Sequence, residues 1–249
     1  MTPLAALLAL LVGLTLGLLG GGGSILTVPV FVYALGIEPK RAIAMSLPVV
    51  GGAALIGAWR HWRAGNVTLR TALPFGGAAM LGAYLGARLA AGIDGTVQLM
   101  LFAIVMIAAA TAMARSAAKP ESTTPRSAPA WPALLSIGAA VGAVTGLVGA
   151  GGGFLIVPAL VLLGGLPMKA AVGTSLLVIA MNTSAAFIGY QGTVVIDWPL
   201  VLRIGGITAV GIIAGTALVP HVSQRALKGA FAALLFIIGT SILWQQLAA

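Results

Sequence analysis

The sequence predicts an all-α polytopic membrane protein made of two inverted-topology repeats. Each repeat has about five hydrophobic segments and a Gly-rich broken or re-entrant helix pair. The first observation behind this prediction is composition, since 60% of the 249 residues are hydrophobic and only 7% are charged, against about 25% charged in a soluble domain. The second is a sequence pattern that occurs twice, and the third is an unequal distribution of cations between the two copies. Backbone polar groups in lipid must be satisfied within the chain, so the segments are predicted to be helices.

The duplication covers the whole chain. Residues 17–29 read GLLGGGGSILTVP, and residues 146–158 read GLVGAGGGFLIVP, 129 positions later. The match continues without a gap through Lys40 and Lys169 to Ser46 and Ser175. The predicted domains are an N-terminal transmembrane repeat at 1–114, a cytoplasmic linker rich in Pro, Ser and charge at 115–130, and a C-terminal transmembrane repeat at 131–249.

Hydropathy divides each half into five apolar segments. They are predicted at 3–20, 24–36, 42–59, 71–91 and 96–114, and at 132–149, 153–166, 170–189, 199–218 and 226–246. No cation precedes the first run and its copy lies inside the chain, so we expect a helix of the mature protein rather than a signal peptide.

The second segment of each half is too short to cross a membrane alone. Its 13 or 14 residues give about 20 Å of helix, against a hydrocarbon core of about 30 Å. The glycine run at 20–24 is expected to be non-helical, because each glycine costs about 1 kcal/mol relative to alanine. The first and second segments should therefore meet at depth, either as a re-entrant hairpin or as two tilted spans.

Charge predicts the sides of the membrane. The loop after the third segment carries Arg60, Arg63 and Arg70, whereas the equivalent loop at 190–198 has no cation and contains Asp197. The positive-inside rule places the first loop in the cytoplasm and the second outside, which inverts the two repeats. We expect a multi-pass protein of the inner membrane.

The helix breaks are the predicted binding site. Free amides at such a break are tolerated where they line a cavity or bind a ligand, and a helix start favours an anion. The predicted substrate-binding residues are the break glycines and nearby polar side chains: Gly20, Gly22, Gly23, Ser24, Ser46, Gly149, Gly151, Gly152, Gly153, Ser175 and Asn182. Two alternatives remain: the glycines only allow close helix packing, and Asn182 only makes a helix–helix hydrogen bond. Lys40 and Lys169 are candidates for flanking an anion path.

Composition also narrows the function. No Asp or Glu lies deep in a segment, which disfavours a cation pump and favours an anionic substrate. No GxSxG nucleophile elbow or phosphate-binding loop occurs, so no enzyme activity is expected. With no cysteine, two histidines and four acids, neither a metal site nor a cofactor is expected. The net charge of +9 is attributed to cytoplasmic loops rather than to nucleic-acid binding. The expected partners are a small anion and the lipid bilayer, and we allow for a homodimer.

The two glycine-rich copies resemble the paired signature of the sulfite exporter TauE/SafE family over nearly the whole chain. The positions that carry the resemblance are Gly20, Gly22, Gly23 and Pro29, with Gly149, Gly151, Gly152 and Pro158. Ala150 departs from the pattern where the first copy has Gly21. The resemblance implies secondary transport of small anions, such as sulfite, thiosulfate or sulfoacetate, across the inner membrane. A passive anion channel and a non-transporting membrane subunit remain alternatives.

Overall fold

The computed structural model describes residues 3–118, 131–148, 153–192 and 194–248, and this part of the chain is helical without strands. Its helices are α1 Pro3–Leu19, α2 Gly22–Pro29, α3 Pro39–Arg63, α4 Leu69–Ala90, α5 Gly95–Ala118, α6 Trp131–Val148, α7 Gly153–Pro158, α8 Met168–Tyr190, α9 Trp198–Leu218 and α10 Gln224–Ala248. Six of them, namely α3, α5, α6, α8, α9 and α10, are long and apolar enough to cross a membrane. The predicted all-α polytopic membrane protein is confirmed.

The second segment of each half is short, as predicted. Helix α2 continues as a π-helix, Val30–Ala34, and α7 continues as a π-helix, Ala159–Leu163. The switch from α to π geometry follows Pro29 in one copy and Pro158 in the other. Since a proline has no amide hydrogen to donate, the regular ladder of hydrogen bonds is interrupted at the same point in both copies.

The glycine run itself is more helical than we predicted. Helix α2 begins at Gly22, so Gly22, Gly23 and Ser24 are helical and the expectation of a non-helical run at 20–24 is wrong. The reason is packing against α1. A Cβ atom on Gly23 would lie 2.1 Å from the Val12 carbonyl oxygen, so only glycine permits this approach. Tertiary contact here outweighs intrinsic helix propensity.

Helix α3 extends beyond the predicted segment at 42–59. It begins at Pro39, where the Glu38 carboxylate accepts hydrogen bonds from the backbone amides of Lys40 and Arg41 at 3.1 and 3.3 Å. This cap satisfies amides that have no partner within the helix. Three cations that we assigned to one loop are helical: Arg60 and Arg63 lie at the end of α3, and Arg70 lies at the start of α4.

Helices of the first half pack on helices of the second half. Helix α1 packs on α9 and its equivalent α6 packs on α4, while α3 packs on α8 and α5 on α10. The α1–α9 and α4–α6 interfaces are tight because glycine faces backbone. At nine glycines of these interfaces, an added Cβ atom would lie 2.0–2.5 Å from a carbonyl oxygen of the partner helix. These glycines are Gly13, Gly17, Gly82, Gly86, Gly138, Gly142, Gly146, Gly211 and Gly215. Small residues at such interfaces are common in membrane proteins.

One pair of equivalent helices, α3 and α8, runs in opposite directions. In the α3–α8 pair, Gly51 faces Thr183, Gly57 faces Leu176, and Gly173 faces Asn66. From the middle of α3 to just past its end, the contacts run backwards along α8. These two helices, whose sequences are offset by 129 residues, are therefore antiparallel. They are also the most buried of the six long helices. The side of the membrane on which each loop lies stays a prediction, as does the division into repeats and linker.

Candidate functional site

The first helix break consists of two residues between α1 and α2. Gly20 has a φ of +72°, a left-handed conformation that favours glycine. Its amide donates to the Leu16 carbonyl at 2.9 Å, which closes the end of α1. A Cβ atom here would lie 2.6 Å from the Ser175 hydroxyl oxygen. Gly20 is thus needed both for the turn and for the close approach of α8.

The two broken helices meet directly after this turn. A Cβ atom on Gly21 would lie 1.7 Å from the Gly153 carbonyl oxygen, and one on Gly153 would lie 2.9 Å from the Ser24 hydroxyl oxygen. The start of α2 and the start of α7 are therefore in contact, and the contact is buried. The structure brings together Gly20, Ser24, Gly153 and Ser175 of the predicted site. Gly149, Gly151 and Gly152 lie outside the described residues.

The predicted hydroxyl ligands are buried and already hydrogen-bonded. Ser24 donates to the Gly21 carbonyl at 2.7 Å, Ser46 to that of Ile43 at 2.7 Å, and Ser175 to that of Val172 at 2.8 Å. All three side chains are fully buried. In this conformation their hydroxyl hydrogens point back into their own helices, so binding an anion through them requires each hydroxyl to rotate.

Asn182 joins α8 to α6. Its Nδ2 donates to the Thr145 hydroxyl at 2.8 Å, and Thr145 donates in turn to the Gly142 carbonyl at 3.0 Å. Within the described part of the chain, the buried Oδ1 of Asn182 has no hydrogen-bond partner. Asn182 therefore makes the helix–helix hydrogen bond that we considered as an alternative. It lies two helical turns, about 10 Å, along α8 from Ser175, and its role as a substrate ligand stays a prediction.

Gly22 and Gly23 differ from Gly20 in their surroundings. A Cβ atom on Gly22 would meet the Leu234 side chain of α10 at 3.0 Å, whereas Gly23 faces the α1 backbone. Both contacts are with packed helices, which favours the structural interpretation for these two positions.

Each of the two equivalent lysines donates a hydrogen bond to a carbonyl group at the end of a helix. Lys40 Nζ donates to the Ala91 carbonyl at 2.7 Å, and Lys169 Nζ donates to the Pro220 carbonyl at 3.1 Å. Ala91 and Pro220 are themselves 129 positions apart. Each lysine thus closes the end of an equivalent helix, α4 in one half and α9 in the other, with a cation near the negative end of the helix dipole.

An open pocket of about 390 Å³ lies where α3 and α9 end, and sequence reasoning missed it. Its polar lining residues are Arg60, His61, Arg63, Asn66 and Thr216. Arg60 Nε donates to the Thr216 hydroxyl at 2.7 Å, which fixes the guanidinium across two helices. The available signal was the sequence RHWR at 60–63, which we interpreted only as a topology marker.

Interrupted helices that meet between two repeated halves, among helices long enough to span a membrane, are typical of membrane transporters. The chain belongs to the sulfite exporter TauE/SafE family, whose model matches residues 5–242.

Curated relatives agree with this assignment. A probable membrane transporter protein of Xylella fastidiosa (strain Temecula1) is 34% identical over 247 residues, which cover 95% of this chain and 92% of the relative. The probable membrane transporter protein YdhB of Bacillus subtilis is 27% identical over 81% of this chain and 83% of its own length. The probable membrane transporter protein MJ0441 of Methanocaldococcus jannaschii is 30% identical, with 76% and 72% covered. No solved structure matches the chain significantly.

Proposed function

We propose that this protein is a secondary transporter that moves small anions, sulfur-containing oxyanions and sulfonates among them, across the inner membrane. The observation that carries the proposal is the contact between the two broken helices at Gly21 and Gly153. Interrupted helices at the interface between inverted repeats are the usual location of substrate in transporters of this construction.

Electrostatics favours an anion over a cation at this centre. The described acids, Glu38, Asp94 and Asp197, each precede the first residue of a helix, at the ends of the molecule. The side chains at the contact between the two broken helices, here called the crossing, offer hydroxyl groups without a carboxylate, as at Ser24 and Ser175. The buried amide of Asn182 lies about 10 Å farther along α8. A buried cation needs a compensating acid or several oxygen ligands, whereas hydroxyl and amide donors suit an oxyanion.

The antiparallel equivalents supply a mechanism. Since α3 and α8 run in opposite directions and pack on each other, the two halves present similar surfaces to opposite ends of the molecule. Rocking one half against the other about the crossing would expose the same groups first at one end and then at the other. In the present conformation the crossing is tightly packed, which corresponds to a closed path.

The proposal is tested by flux into proteoliposomes that contain the purified protein. We expect saturable uptake of 35S-labelled thiosulfate or sulfoacetate, with unlabelled sulfite tested as a competitor. Large unitary currents would instead indicate an anion channel. The absence of flux for the whole panel would remove the transport proposal in favour of a non-transporting subunit.

A matched pair of variants locates the path. Gly21→Ala adds a methyl group where the two broken helices touch, and we expect flux per folded protein to fall severely. Gly206→Ala adds the same group where nothing lies within 4 Å, and flux should be unchanged. Equal flux for the two variants would place the transport path away from the crossing.

A further inference from the structure

The pocket at the ends of α3 and α9 has an unusual charge environment. Arg60 and Arg63 line it, and Lys169 contacts its edge through Pro220. Among the described residues, every acid lies at the opposite end: Glu38 precedes α3, Asp197 precedes α9, and Asp94 follows α4. A helix of 25 residues such as α3 is about 37 Å long. These three carboxylates therefore lie much farther from the pocket than a Debye length of about 8 Å, and they do not neutralise its positive charge.

Arg60 and Arg63 are held differently. Arg60 uses Nε to bind Thr216, and within the described part of the chain no other hydrogen bond involves its guanidinium. Arg63 lies with its guanidinium carbon 5.1 Å from the centre of the Trp59 ring. Stacking on an aromatic ring orients the guanidinium while leaving its N–H groups open. Two guanidinium groups oriented in this way suit the bidentate recognition of an oxyanion.

His61 adds a buried titratable group to the same pocket. The side chain is 2% exposed, and Nε2 lies 3.3 Å from the Gly17 carbonyl oxygen. A carbonyl only accepts hydrogen bonds, so Nε2 must carry hydrogen. Nδ1 is buried and has no partner in the described part of the chain. In the neutral ring this nitrogen is a lone pair, and it is the only place on the ring where another proton can bind.

The equivalent position in the second half lacks this property. Tyr190 lies 129 residues after His61, and its hydroxyl lies 3.4 Å from the carbonyl oxygen of Gly146, the equivalent of Gly17. In each half, an aromatic ring therefore contacts the first helix of that half, α1 or α6. Only the first half has an imidazole at this position, and only there do arginines stand next to the ring in the sequence, at Arg60 and Arg63.

We propose that this pocket binds a small oxyanion together with one proton, the anion on Arg60 and Arg63 and the proton on His61 Nδ1. The inference rests on the proposed transport of anions and names the coupled ion. The proton comes from solvent, and the ring changes from neutral to singly positive as the anion binds. With one proton, a singly charged anion enters without net charge, and a doubly charged anion such as sulfate enters with one net negative charge.

The surroundings of His61 explain why the two events are linked. The charged residues that line the pocket, Arg60 and Arg63, are both cationic. Lys169 reaches its edge through the Pro220 carbonyl, and the other histidine, His221, follows Pro220. Helix α1, which supplies the Gly17 contact, and the last turns of α9 carry no charged residue. Adding a proton to this cluster is unfavourable until an anion offsets the charge. By reciprocity, the proton strengthens anion binding by the same factor as the anion strengthens proton binding.

Calorimetry of the purified protein measures the linkage directly. Sulfate, thiosulfate and sulfoacetate are each titrated near neutral pH in two buffers that differ in ionisation enthalpy, and the difference in heat gives the protons taken up per anion bound. We expect uptake by the wild type and none by His61→Gln. A glutamine amide can still donate to the Gly17 carbonyl, so the anchor of the ring is preserved. Tyr190→Phe is the control and should take up protons as the wild type does.

The arginines are tested separately. Arg60→Gln, which can still donate to Thr216, and Arg63→Gln should each weaken anion binding about ten- to hundredfold. Arg115→Gln, an exposed cation at the end of α5 and outside the pocket, should bind as the wild type does. Unchanged affinity in both pocket variants, or proton uptake that persists in His61→Gln, would overturn the proposal. So would the failure of all three anions to bind to the wild type.

Flux measurements separate this proposal from the transport proposal. If wild-type proteoliposomes accumulate an anion but its dependence on a pH gradient survives in His61→Gln, the pocket assignment is wrong and transport stands. If the wild type binds anions with proton uptake but moves none, the pocket exists and the transport proposal fails.

Discussion

The close contact between α4 and α6 gives the sharpest quantitative prediction. Gly142 lies at the centre of this interface, where a Cβ atom would be 2.1 Å from the Ala79 carbonyl oxygen and 2.6 Å from Ala79 Cα. Both obstacles are backbone atoms, so no change of side-chain rotamer relieves the overlap. Gly142→Ala must push the two helices apart along their length, including the neighbouring contacts of Gly138 and Gly146.

The magnitude follows from two opposing effects. Replacing glycine by alanine within a helix is favourable by about 1 kcal/mol. Overpacking a tight contact costs about 1–3 kcal/mol, and we expect the upper end because the contact is with backbone. Gly142→Ala should therefore lower the free energy of unfolding by about 2 kcal/mol. At Gly206 nothing lies within 4 Å, so Gly206→Ala should show only the gain in stability from the higher helix propensity of alanine.

Equilibrium unfolding by sodium dodecyl sulfate in mixed micelles, followed by circular dichroism, measures both values in one assay. The two variants add the same methyl group, so their difference reports packing rather than propensity. If Gly142→Ala proves as stable as Gly206→Ala, the close α4–α6 interface is not what holds these helices together, and the packing explanation for the interfacial glycines is wrong.

Three further outcomes are expected. In this cysteine-free chain, a cysteine placed at Ala64 should be labelled from the cytoplasm and one placed at Gln191 from outside. The neighbouring Gly65 and Gly192 are avoided because their φ values of +73° and +80° disfavour any other residue. Labelling of both cysteines from one side would refute the inverted topology. Asn182→Ala removes the bond to Thr145 and should lower stability by about 0.6 kcal/mol; a loss of substrate affinity in the folded variant would show a ligand role, and unchanged affinity would remove Asn182 from the site. Hydrogen bonds from Thr96 hold the pKa of the Asp94 carboxyl below its ordinary value of 3.8, so its stabilising effect is present above that pH and is lost as the pH falls through the lowered pKa; acid unfolding curves of the wild type and Asp94→Asn should converge at low pH, and a constant separation would contradict this assignment.

The fold class, the duplication and the short second segment can all be predicted from the residues alone. These follow from composition, from an ungapped 129-residue offset, and from the length of helix needed to cross lipid. The family resemblance also needs no structure, because the glycine and proline pattern is local in sequence. The prediction of a non-helical run at 20–24 is wrong, because intrinsic helix propensity does not include the packing of Gly23 on Val12.

Which polar groups meet depends on how the helices of the two halves pack. Ser175 lies against Gly20, and Gly153 lies against Ser24. The sequence alone does not reveal these contacts, because the partners are more than 100 positions apart. Likewise, Asn182 bonds to Thr145, and His61 is buried beside two arginines. Hydropathy reports how much apolar surface a segment offers, but side-chain partners depend on how helices cross and in which direction they run. That geometry arises only when the two halves pack together.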